Sequence, residues 1–152
     1  MTILLIVQLV LAGLLAGEEF IVRWGIQPAI ASLPDDAHVR TRIALVKRLK
    51  VVVPILMVAA VLASVAVLIG EGLAQGFGFR IAGMVALIIF VLASFLGTVP
   101  INMGVNDWNP DDLPADWASV VTRWQRIDVL RSTAAGLAFV LFIVALVTRT
   151  AL

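Results

Sequence analysis

Residues 51–70 and 81–101 contain no Asp, Glu, Lys or Arg. Wound as α-helices, each is as long as the hydrocarbon core of a bilayer is thick. Two further stretches have the same length with few interruptions. Residues 3–22 carry Gln8 and, near their end, Glu18 and Glu19, while residues 129–148 carry Arg131 just inside. The chain is 152 residues long, 62% hydrophobic and 14% charged. Soluble domains run ~45–50% apolar and ~25% charged. A soluble fold of this length has too little interior to hide such an excess, so a bilayer is the expected solvent. The expected fold is therefore all-α: one integral-membrane four-helix bundle over residues 1–152, with spans at about 3–22, 51–70, 81–101 and 129–148.

What the chain lacks narrows its chemistry. A net charge of +1 leaves no electrostatic footprint for nucleic acid. Without Cys there are no disulfides, thiolate metal sites or thiol nucleophiles, and Tyr is missing as well. The single histidine, His38, stands in a Pro-Asp-Asp-Ala-His helix start, where a solvated surface role is expected. Its spacing from Met57, Met84 and Met103 does not suit axial haem ligation. Asp107, Asp111, Asp112 and Asp116 lack the spacing of a calcium loop and read as turn and cap residues. Neither a metal nor a cofactor is expected. The first segment has no basic residue before Arg23, so it reads as a retained span and not a cleaved leader.

Lys and Arg fall unevenly among the connections. Arg23, Arg40, Arg42, Lys47, Arg48 and Lys50 lie in or beside the first, and Arg123 and Arg126 in the third, with Arg131 at its edge. The other side has Arg80 and Arg149. The positive-inside bias then puts the first and third connections in the cytoplasm and both termini outside, in a plasma (inner) membrane. The basic connections also carry helix starts. Ser32-Leu33-Pro34-Asp35-Asp36 supplies a cap and first-turn acids. Pro114 suits the first turn of a helix from about Ala115. Both helices should run on into the spans, Pro54 bending the earlier one without ending it.

The unusual polar residues gather at the basic ends of the spans. Glu19 and Arg23 are four apart with the acid first, the favourable order for a pair along one helix. Glu18 points ~100° away from Glu19 and needs water, a proton or a partner on another helix. In the last segment Trp117, Val121, Trp124, Asp128, Arg131 and Ala135 recur at spacings of four and three, which is one helix stripe. Asp128 and Arg131 on it form either an interfacial ion pair beneath an aromatic belt or a buried pair facing Glu18. Asn102 and Asn106 share a face if the chain stays helical past Pro100, and are turn residues otherwise. Gly13 and Gly17, with Ala12 and Ala16, make a flat face for close helix packing. Ser64 and Ser94 read as packing residues too, and the Gly-rich stretch 70–78 as a short flexible connection.

Three segments carry a resemblance: Gln27-Pro28-Ala29-Ile30, Thr98-Val99-Pro100-Ile101-Asn102, and Trp124-Gln125-Arg126-Ile127-Asp128-Val129-Leu130-Arg131. In order and spacing the chain resembles the small four-span membrane family that includes the fungal anthrone oxygenases. It departs at Asp128, where Asn or His is expected, and at Gly17-Glu18-Glu19-Phe20, where many relatives are apolar. The resemblance implies oxidation of a hydrophobic aromatic, anthrone- or quinol-like, by dioxygen without a cofactor. Glu18, Asp128 and Arg131 would then be the catalytic residues, with Glu18 the base and Arg131 stabilising a phenolate. Asn102, Asn106, Trp124 and Glu19 would bind the substrate. The competing reading is a non-enzymatic small membrane subunit or transport accessory. A proton carrier using Glu18 and Asp128 ranks last, because inverted repeats are not evident. Reporter fusions to the two termini test the orientation: both are expected to report from outside, and cytoplasmic signal from both would reverse it.

Overall fold

The computed structural model describes residues 1–150. Four helices long and apolar enough to span a membrane make an all-α bundle: α1 (Thr2–Ala31), α2 (Asp35–Glu71), α3 (Phe77–Asn106) and α4 (Trp117–Thr150). This is the architecture of a multi-pass membrane protein. Each helix is longer than its apolar core, and all four continue beyond it at the basic end. α2 starts where expected, after the extended Pro34, with Asp35 and Asp36 in its first turn, although no side chain caps it. Pro54 lies within the unbroken helix. α4 begins at Trp117, two residues later than the sequence suggests.

Around the bundle α2 packs on α1, α1 on α4, and α4 most extensively on α3. The seam between α2 and α3 is looser. Large side chains of α4 sit on glycines of its neighbours. A Cβ on Gly83 would lie 2.6 Å from the Phe142 ring, and one on Gly13 would lie 3.1 Å from Phe139. In lipid, where apolar burial alone does not hold helices together, such close approach supplies the packing energy. Gly17 departs from the expected flat face, since a Cβ there meets nothing within 4 Å. The mid-bundle core comprises Leu15, Met57, Leu87, Phe90 and Phe142 with alanines between them. A second apolar cluster at the basic end holds Val22, Val39, Val46, Val105 and Trp124.

The α2–α3 connection is pinned and not the loose link its glycines suggest. Gly72 and Gly76 take positive φ, and a Cβ on Gly76 would stand 2.5 Å from the Ala145 carbonyl. Arg80 donates to the carbonyls of Ala74 (2.8 Å) and Gln75 (3.0 Å). Glu71 joins it at 3.9 Å and forms an ion pair with Arg149 Nε at 2.9 Å. Gly83→Leu is expected to destabilise the bundle by roughly 1–3 kcal/mol through overpacking. Gly17→Ala should be neutral or slightly stabilising, since Gly costs up to about 1 kcal/mol in a helix interior. Thermal unfolding in detergent distinguishes them, and equal loss from both would contradict the packing.

Candidate active site

Two prolines shape the site. Pro28 and Pro100 lack an N–H and crowd the carbonyl four residues earlier. Each is preceded by one π turn, Val22–Ile26 in α1 and Ser94–Thr98 in α3, ending two residues before it. The Gln27 N–H reaches back to the Val22 carbonyl, and the Val99 N–H to that of Ser94. The wider i→i+5 closure takes up the misfit without ending the helix. It also rotates the rest of the helix about its axis, so residues four apart across the turn no longer stack.

The rotation explains why the Glu19–Arg23 pair does not form. Arg23 turns to α4, donating to Ser132 Oγ (2.9 Å) and Thr133 Oγ1 (3.3 Å) and lying over the Trp24 ring. Glu19, only 1% exposed, pairs instead with Arg131. The Arg131 guanidinium faces Asp128 at 3.8 Å, donates through Nε to Ser94 Oγ at 2.9 Å, and covers the Phe90 ring. Ser94 donates its own proton to the Phe90 carbonyl. It is therefore a polar link between α3 and α4 and not the packing residue expected. Three helices thus meet at one buried cation; Asp128 and Arg131 are a buried pair, but the acid that meets Arg131 across the bundle is Glu19 and not the expected Glu18.

A second buried cation lies nearer the basic end. Arg42, 3% exposed, donates to Gln27 Oε1 at 2.8 Å and to His38 Nε2 at 3.4 Å, and lies over the Trp124 ring. His38 is accordingly buried, its ring edge-on to Trp117, and not solvated as its sequence context suggests. The helix does run past Pro100, so Asn102 and Asn106 share a face. Asn102 Oδ1 accepts from Trp124 Nε1 at 3.1 Å, which holds the indole; the Asn102 amide N–H groups have no partner among the described residues.

Between the two cations is a cavity of about 310 Å³. Glu18, Glu19, Asn102, Asn106, Trp124 and Arg131 line it, as do Arg42, Gln27, Ser94 and Thr98. Its mouth lies in the α2–α3 seam, where Lys50, Phe95, Val99 and Met103 are exposed. Glu18 is half-buried, and among the described residues its Oε2 has no hydrogen-bond partner. Asp128 is buried behind Arg131 and does not line the cavity. The stripe from Trp117 to Ala135 is α4's inward face, as its spacing indicates. Sequence reasoning misses Arg42, Gln27 and Thr98. Arg42 stands among the basic residues of a connection, and only the helical run from Asp35 carries it inward. Among the described residues no cluster of His, Asp and Glu is arranged to hold a metal ion.

With this geometry in hand, comparison with known sequences is decisive at one level. The pattern of the family described as anthrone oxygenase matches residues 43–141, more than half of the chain. The chain belongs to the anthrone oxygenase family. No curated protein and no solved structure matches it. The anthrone oxygenase match includes Asn102, Asn106, Trp124, Asp128 and Arg131, whereas Glu18, Glu19, Gln27 and Arg42 lie before it. The acidic half of the cavity is therefore contributed by a part of the chain outside the matched family segment.

Removing Arg131 would strand Glu19 and Asp128. Arg131→Leu is expected to cost about 3–5 kcal/mol, the usual penalty for leaving buried charge unpaired. In a Glu19→Gln background the same substitution should cost clearly less. Denaturation of the four proteins in detergent closes this double-mutant cycle, and strict additivity would show that Arg131 and Glu19 are not coupled.

Proposed function

We propose that the chain is a membrane oxygenase acting on a hydrophobic, anthrone- or quinol-like aromatic. The observation that carries the reading is the cavity itself. Glu18 and the anchored guanidinium of Arg131 line one largely apolar space that opens between α2 and α3. A purely structural subunit would bury its ion pairs against packed side chains, whereas here the polar groups face unfilled volume.

In the proposed reaction Glu18 takes a proton from the ring methylene, and the resulting carbanion delocalises onto the ring ketone oxygen, which becomes a phenolate. Arg131 and the amide N–H groups of Asn102 stabilise that oxyanion. The carbanion gives one electron to dioxygen, and the radical pair recombines to form a C–O bond. Glu18 returns its proton to the peroxide. Loss of the second methylene proton and cleavage of the O–O bond then release water and leave a carbonyl. The balance is CH₂ plus O₂ to C=O plus H₂O, with dioxygen taking four electrons from the carbon. Glu19 and Asp128 hold Arg131 and touch no reacting atom. Trp124 and Asn106 form the wall against which the ring lies.

Oxygen uptake and quinone absorbance with an anthrone in proteoliposomes test this. Glu18→Gln should lower turnover at least ~100-fold, within the range general-base removal produces. Its thermal unfolding should stay nearly unchanged. Uptake by the intact protein no faster than spontaneous oxidation, or full turnover in Glu18→Gln, would overturn the proposal.

A further inference from the structure

The reaction leaves Arg42 unused. Its guanidinium is 3% exposed, and among the described residues it has no ion pair. Its neighbours are Gln27, His38 and Trp124. His38 accepts through Nε2 and is thus the neutral tautomer, so none of the three carries compensating charge. Asp128 is the acid whose field reaches Arg42, and it is engaged with Arg131. A buried guanidinium without a counter-charge is expensive, and side chains of this kind are normally paired.

The unsatisfied groups converge on the cavity. Gln27 must turn Oε1 toward Arg42, because arginine has only donors. That leaves Gln27 Nε2 as a buried donor with no partner, although the side chain is 6% exposed and borders the cavity. Arg42 Nη1 has no hydrogen-bond partner among the described residues either. Both side chains, one of them charged, line the same space. Glu18 and Gln27 are nine residues apart on α1, which is roughly 13 Å of helix rise. The donors thus lie at the far end of the cavity from the proposed base.

We infer that Arg42 and Gln27 form a seat for a carboxylate at the end of the ligand remote from Glu18, so that the substrate is an aromatic acid. The aromatic half of this inference rests on the proposed oxygenase reading; the carboxylate half does not. A carboxylate presents two acceptor oxygens to two donors and is fully ionised at neutral pH, whereas an ordinary phenol, near pKa 10, is not. Guanidinium also recognises carboxylate more strongly than a neutral acceptor does. The ligand supplies the missing counter-charge and fixes the direction in which the ring enters.

The test is equilibrium binding to the full chain in neutral-lipid nanodiscs, followed by ligand fluorescence. The probes are anthracene-2-carboxylate and its uncharged carboxamide. The intact protein is expected to bind the carboxylate at least tenfold more tightly. Arg42→Gln should abolish that preference, and Arg42→Lys should restore part of it. Equal affinity of the intact protein for the two probes overturns the seat, whatever the variants do, as does a preference that survives Arg42→Gln. Palmitate is the third probe. If it binds more tightly than the aromatic acid and depends on Arg42, the aromatic half of the inference is overturned. Glu18→Gln should keep the carboxylate preference even if no turnover is found, which separates failure of the seat from failure of the oxygenase reading.

Discussion

The basic half of the bundle depends on the burial of one guanidinium. Arg131 cannot lose its proton under any ordinary condition, so its charge must be answered wherever it is placed. It is answered from three helices: Glu19 on α1, Ser94 and the Phe90 ring on α3, and Asp128 on its own α4. Between lipid-embedded helices there is little hydrophobic drive toward any one rotation. A charge that must be satisfied from three directions fixes the rotations of α1 and α3 about α4. The cavity is the space left beside that anchor, bordered by groups that the anchor holds in place.

The two π turns make this possible. Each stands just before a proline, one in α1 and one in α3, and each changes the direction in which the next residues point. Without the first, Arg23 would stack over Glu19 and neutralise it within the same helix, and Arg131 would lose its best partner. Beyond that turn Gln27 faces inward and reaches Arg42. Thr98, at the end of the second turn, and Asn102 beyond it face the cavity across from α1. A residue that simple helix rules treat as a breaker serves here to re-aim side chains, as π insertions do at many functional sites.

The same turns decide which parts of the molecule are legible in the sequence. The four spans are legible, because the bilayer demands length and apolarity that no soluble element needs. So is the inward stripe of α4, since no proline interrupts Trp117–Ala135 and the spacing of four and three holds throughout. The α1 assignments are only half legible. Glu18 and Glu19 lie in a segment that is apolar nearly all round, so its sequence gives no direction for its face. The turn that separates Arg23 from Glu19 is signalled only by Pro28, five residues further on. Arg42 and His38 are hidden for a different reason. In a connection of basic residues each one looks solvated, and only the extra-membrane packing of α2 against Trp117 and Trp124 turns these two inward.

The placement of charge along the cavity then has a physical consequence. One end of the cavity holds Glu18 and Glu19 beside Arg131, and the other holds Arg42, which among the described residues has no ion pair. A neutral aromatic entering from the α2–α3 seam gains nothing from the charge of Arg42. A molecule with a negative end is drawn to Arg42 and repelled by the Glu18 end, and low local dielectric makes that difference large. The same separation keeps Glu18 from being claimed by Arg42, and among the described residues its Oε2 has no hydrogen-bond partner. Orientation of the ligand and freedom of the base thus arise from one feature, the separation of the two buried arginines, whose partners Glu19 and Gln27 lie two turns apart on α1.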